Sequence, residues 1–221
     1  VTGAINSICG SDCKHDKFKD QTVIVAGTGP SLTQDVCILC NNSGLPIYGC
    51  NNTWTALNLD VFLACNPEYY DHYWERIRFN PMKKYTWDKA TAEKYGINYI
   101  AGRWADGLST DPNFIHYHHG AGPQILNVAL HHGFQRMLLV GWDMRYPGKI
   151  DRYNFTEKRH FFGEDSLTKK HYPNTGPNGE FTGLIKEMET IKPEEYGIEI
   201  INCTPNSAMT CFPFGNLKDY L

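Results

Sequence analysis

Short β-branched apolar runs that alternate with amphipathic helical stretches predict an α/β fold: a Rossmann-like parallel sheet with helices on both faces. Two further observations point the same way. A glycine turn follows the first run at once, and polar residues directly follow most of the others. Ligands of open parallel sheets bind beyond the carboxyl ends of the strands, so both observations bear on function as well as on fold.

Residues 1–20 are polar and charged and read as a lead-in segment, and residues 21–221 read as one domain. Residues 22–26 (TVIVA) form a continuous apolar run of the kind buried on both faces of a parallel sheet. Further strands are predicted at 47–50, 61–65, 98–100, 137–140 and 198–201. The clearest helix is 122–132, where Ile125, Val128 and Ala129 make an i, i+3, i+4 stripe and Gly133 supplies the stop. Other helices are predicted at 33–41, 67–78, 88–95 and 182–190. Residues 146–179 are rich in glycine and proline and lack periodicity, which predicts an irregular, lid-like segment.

Composition sets limits on function. Hydrophobic residues make up 41% and charged residues 20%, an ordinary globular balance, and the net charge of -3 offers no broad positive field for duplex nucleic acid. No apolar run reaches the roughly 18 residues of a transmembrane span, and Val1-Thr2-Gly3-Ala4 lacks the layout of a signal peptide. A cytoplasmic location is expected. The 8 cysteines are expected to be reduced. A zinc alternative would rest on Cys9, Cys13, His15, Cys37 and Cys40, but no partner pair is evident and no metal ligand is assigned.

The strand ends carry the candidate site. Gly27-Thr28-Gly29-Pro30-Ser31 follows the first strand, Asn51-Asn52-Thr53 the second, Asn66-Pro67 the third, Gly141-Trp142-Asp143 the 137–140 strand and Asn202 to Ser207 the last. Ser31 is expected to cap the next helix, whose N–H groups would attract a phosphate. Asn51 and Asn52 offer amides suited to a sugar or base. The dinucleotide fingerprint fails because Leu32 stands at its third glycine, and no Gly-Lys-Ser/Thr makes a P-loop. NAD and ATP hydrolysis are disfavoured. The absence of Asp-x-Asp makes metal-independent chemistry the simpler inference. His116, His118 and His119 read as ligand contacts or loop residues, and His171, in Lys169-Lys170-His171-Tyr172, is a candidate general base.

This ordered series resembles glycosyltransferase family 42, the bacterial sialyltransferases of the Campylobacter lipooligosaccharide type, over residues 23–212. The resemblance rests on Val23 to Leu32, Cys50-Asn51, Asn66-Pro67, Leu139 to Asp143 and Cys203 to Ser207. It implies a Rossmann-like sheet, a CMP-linked sugar donor, no metal requirement and a lid over the donor. Thr28 stands at the family's turn asparagine, His118 at an arginine, Gly120-Ala121-Gly122 at a Thr-Ser-Gly, and Arg145 at one of two phosphate-binding tyrosines. Tyr146 neighbours that position, and Tyr153 matches the other.

The resemblance thus implies a nucleotide-sugar donor, a glycan or other hydroxyl acceptor, and direct displacement at the anomeric carbon. His171, with His160 as its rival, would take the acceptor's proton, while Tyr153 and Arg145 would stabilise the leaving phosphate. Gly27, Thr28, Gly29, Pro30, Ser31, Asn51 and Asn52 would line the donor pocket. Gly120, Ala121, Gly122, Gly141, Trp142, Asp143, Tyr146, Asn206 and Ser207 would complete it, with Asp143, Asn206 and Ser207 at the base or ribose. The alternatives are a magnesium-dependent diphosphokinase of the pterin type with Asp143 on the metal, and a non-catalytic nucleotide-binding accessory protein. Lys169-Lys170-His171 keeps a nucleic-acid acceptor open.

Overall fold

The computed structural model describes residues 22–117, 120–146, 160–163 and 179–221. Its centre is a seven-stranded, all-parallel sheet. Five strands step outward in sequence: β1 (Thr22–Ala26), β2 (Ile47–Cys50), β3 (Val61–Leu63), β4 (Lys83–Thr86) and β5 (Asn98–Tyr99). The chain then makes a small parallel pair, β6 (Ala101–Trp104) and β7 (Phe114–Tyr117). It returns to the free side of β1 with β8 (Arg136–Val140) and ends the sheet with β9 (Glu199–Asn202). The strand order β5-β4-β3-β2-β1-β8-β9 reverses direction between β1 and β8.

The helices are α1 (Gln34–Asn42), α2 (Pro67–Ile77), α3 (Lys89–Tyr95), α4 (Ala121–His131), α5 (Thr182–Glu189) and α6 (Pro193–Tyr196). Alternation along β1 shows how they divide. Val23 and Val25 face a core with Ile125, Val128 and Ala129 of α4, whereas Ile24 and Ala26 face a second core with Cys37 and Cys40 of α1 and Tyr69 and Tyr70 of α2. Helices therefore cover both faces, as predicted. Among the described residues, no helix is long and apolar enough to cross a membrane.

The predicted 22–26 and 47–50 strands agree with β1 and β2 residue for residue, and the predicted helices agree with α1 to α5 within one residue at each end. β4, β6, β7 and α6 are additions. β4 opens with Lys83-Lys84, which reads as solvated, yet Lys84 is buried and its ammonium donates to the carbonyls of Asn80 (2.6 Å) and Met82 (3.2 Å). The lead-in and most of the 146–179 stretch, with its lid expectation, lie outside the described residues.

Candidate functional site

In a sheet of this kind the crevice opens where the strand order reverses, here between the carboxyl ends of β1 and β8. The two turns there approach so closely that only glycine fits. A Cβ on Gly27 would lie 2.6 Å from the Gly141 carbonyl oxygen, and one on Gly29 would lie 1.9 Å from Asp143 Oδ2. Gly141 itself takes φ +72°.

Asp143 fills the β1 turn. Its Oδ2 accepts from Ser31 Oγ at 2.6 Å, and both carboxylate oxygens lie within reach of the Ser31 N–H, at 3.2 and 3.3 Å. Burial raises the Asp143 pKa above its ordinary value, while the Ser31 hydrogen bonds and the Arg145 charge oppose that rise. The backbone of Asp143 is tied down as well, its carbonyl accepting from Ala208 N–H at 2.9 Å.

This arrangement engages most N–H groups of the β1 turn within the fold. The N–H groups of Gly27 and Gly29 donate to Val140 and Gly141, those of Leu32 and Thr33 to Gly29 and Ser31, and that of Ser31 to Asp143. A carboxylate already occupies the position an anion would take. Nor does Ser31 cap α1: Thr33 is the N-cap, accepting from Val36 N–H at 3.4 Å.

An anion-friendly element stands across the crevice instead. α4 is preceded by Gly120 as N-cap, with no side-chain cap and no acid in its first turn, so the positive end of its dipole has no internal carboxylate, although Pro123 there contributes no N–H. Trp142 joins the two sides. Its indole N–H donates to the Val25 carbonyl (2.8 Å), its ring packs 3.3 Å from where a Gly27 Cβ would be, and it lies 2.8 Å from where a Gly122 Cβ would be. Gly27 and Gly122 are thus held on either side of a buried tryptophan.

Several predicted ligand contacts are part of the framework. The Trp142 indole is core. Asn52 is buried, donating to Tyr73 Oη (3.1 Å) and accepting from Tyr69 Oη (2.7 Å), so its amide serves the packing of α2 rather than a sugar. Ser207 donates to the Trp142 carbonyl (2.6 Å) and accepts from Met209 N–H, and Tyr146 is buried edge-on against Phe181.

Other candidates stay at the rim. Asn51, at φ 50°, and Asn206, at φ 55°, are exposed at the ends of β2 and β9. Thr28 receives a 3.2 Å hydrogen bond on its carbonyl from Phe161 N–H, and Pro30 borders a groove of about 560 Å³ beside α1. Arg145 is exposed, its backbone pairing with that of Glu180 in an isolated antiparallel β-bridge, and His160 stacks on Phe162. His118, His119, Tyr153 and His171 lie outside the described residues.

Gln124 is a site element that motif reading missed. Fully buried in α4, it donates to the Gly120 carbonyl (3.2 Å) and accepts from the Cys65 thiol (2.8 Å) at the end of β3. A lone glutamine in an otherwise apolar first turn was the available signal. Burial pushes the Cys65 pKa up to about 12, so it is a hydrogen-bond donor rather than a thiolate nucleophile. The six described cysteines are free, and among the described residues no group of three ligating side chains is arranged to hold a metal. No family model matches the chain, and no curated protein or solved structure is significantly similar to it.

Proposed function

We propose that the chain binds a nucleotide-linked sugar across the β1/β8 crevice and transfers the sugar to an acceptor hydroxyl. One observation carries this reading: a carboxylate-bearing turn and an uncapped, acid-free helix N-terminus lie against the two ends of the Trp142 ring at the β1/β8 switch point. Carboxylates seek hydroxyl donors and helix N-termini seek anions. A nucleotide sugar carries both, a diol on its ribose or sugar and a phosphate between them.

In this reading the phosphate lies at the N-terminus of α4, not in the β1 turn, and Asp143 meets a hydroxyl beside Gly27, Thr28 and Gly29. The acceptor oxygen attacks the anomeric carbon, and the bond from that carbon to the phosphate oxygen breaks, its electron pair staying on the phosphate. The acceptor's proton passes to a base, for which the family resemblance suggests His171. The positive end of the α4 dipole would stabilise the departing charge. A CMP-linked donor is likewise suggested by the resemblance.

Thermal-shift measurements with CMP, CDP, UDP, ADP and ATP, each with and without magnesium, test the reading, because a ligand of the native state raises the midpoint. A shift with CMP that does not depend on magnesium is expected. A shift confined to ATP with magnesium would replace it with the diphosphokinase reading, and no shift with any nucleotide would overturn it. His171→Ala should then abolish release of CMP from a CMP-sugar while leaving the CMP shift in place.

A further inference from the structure

A groove opens beside the candidate site, on the α1 side of the sheet. It encloses about 560 Å³, within the roughly 300–1,000 Å³ usual for small-ligand sites. Its floor is buried Leu32 and Cys37, and its walls are Ile38 of α1, Ala56 beyond the turn after β2, and Phe161. Phe161 is fixed there by its N–H, which donates to the Thr28 carbonyl at 3.2 Å. Among the described residues its ring meets the ring of Phe162 edge-on at 5.2 Å and no ring is stacked on it.

The lining carries no charge. It contains no acidic or basic side chain, and burial raises the Cys37 pKa, so its thiol is neutral. Most of its polar groups are already engaged. Thr33 caps α1, and the Asn41 amide donates to the Ala56 carbonyl (3.1 Å) and accepts from Asn58 N–H (2.9 Å). Gln34, exposed in the first turn of α1, makes no side-chain hydrogen bond among the described residues, so its amide offers an occupant both donors and an acceptor.

The groove is in line with the crevice. Pro30 and Leu32, which border it, flank Ser31, the residue bonded to Asp143. α4 covers the Val23 and Val25 face of β1 and α1 the Ile24 and Ala26 face, so Ser31 and Asp143 stand between the start of α4 and the groove. A nucleotide runs in the same order: phosphate, ribose hydroxyls, base.

We infer that this groove holds the base of the nucleotide, with its ring against Phe161 and its hydrogen-bonding edge at the Gln34 amide. A nucleobase is planar, uncharged and edged with donors and acceptors, which matches an uncharged apolar slot with one unengaged amide. The assignment rests on the nucleotide-binding reading and adds to it where the base lies.

Calorimetric titration of the full chain with CMP, cytidine and ribose 5-phosphate separates the base from the rest of the ligand. The wild type should bind CMP about tenfold or more tightly than ribose 5-phosphate. Ile38→Trp, which fills the groove from an exposed helix position, should bring CMP down to the affinity of ribose 5-phosphate and leave ribose 5-phosphate unchanged. Gln34→Ala should weaken CMP roughly fivefold, again without effect on ribose 5-phosphate. CMP affinity no better than that of ribose 5-phosphate in the wild type, or unchanged in Ile38→Trp, overturns the base site while leaving the phosphate and hydroxyl contacts of the donor reading standing. Equal loss of both ligands in Ile38→Trp overturns it in favour of a disturbed crevice. Failure of all these ligands to bind the wild type overturns the groove assignment and the donor reading together. Groove-dependent binding of cytidine without any binding of ribose 5-phosphate supports the base site and removes the phosphate from α4.

Discussion

At Asp143 a single side chain decides what the β1 turn can bind. Its carboxylate takes up both the N–H and the hydroxyl of Ser31, so the turn is closed to a second anion. Asp143→Ala would leave those donors without an acceptor and should lower the unfolding free energy by about 1–3 kcal/mol in urea titrations, with Asp143→Asn losing less. His131 provides a pH-dependent counterpart. Buried in α4, it hydrogen-bonds the Ser109 carbonyl at 2.8 Å, and desolvation holds its pKa below the ordinary value of 6.5, against the opposing pull of Ser109 and Asp111 and with a small further push from His116. The unfolded chain then binds a proton more readily than the folded one. The stability associated with neutral His131 is therefore complete above pH 6.5 and lost as pH falls through the folded pKa. Urea midpoints should drop between about pH 7 and pH 5, and His131→Gln should flatten that part of the profile.

At the scale of elements, helix starts separate the two kinds of turn. α1 is capped by Thr33, so Thr33→Ala should cost about 1 kcal/mol. α4 has no cap, and Gly122 in its first turn lies against Trp142. Glycine to alanine in a helix ordinarily stabilises by roughly 0.5–1 kcal/mol, through lower backbone entropy in the unfolded chain. Here a Cβ only 2.8 Å from the indole outweighs that gain, and Gly122→Ala should destabilise by about 1–3 kcal/mol in the same titrations. The regular elements were legible because the apolar runs and helical stripes carry their periodicity locally. β4 was not, because the burial of Lys84 depends on the carbonyls of Asn80 and Met82, and β6 and β7 were not, because they pair with each other beside the main sheet.

Across the whole molecule, β1 is the axis of the architecture. Val23 to Ala26 have no exposed surface, and residues alternate between the two cores, so β1, β8 and α4 should show the slowest amide exchange and the β5 edge the fastest among the sheet strands. Hydrogen-exchange mass spectrometry checks this, and protection of β5 equal to that of β1 would count against the strand order. The α/β class and the carboxyl-edge location of the candidate site were readable from the order of the apolar runs and from the glycine and polar residues at their ends, because backbone periodicity and turn chemistry are local properties. The sequence alone did not reveal that β8 returns beside β1. That contact between residues more than a hundred positions apart puts Asp143 into the glycine turn and Trp142 between Gly27 and Gly122, while the packing of α2 sets Asn52 under Tyr69 and Tyr73. Whether a polar side chain binds a ligand or holds the framework depends on which neighbour reaches it first in space, and only the packing of distant segments decides that.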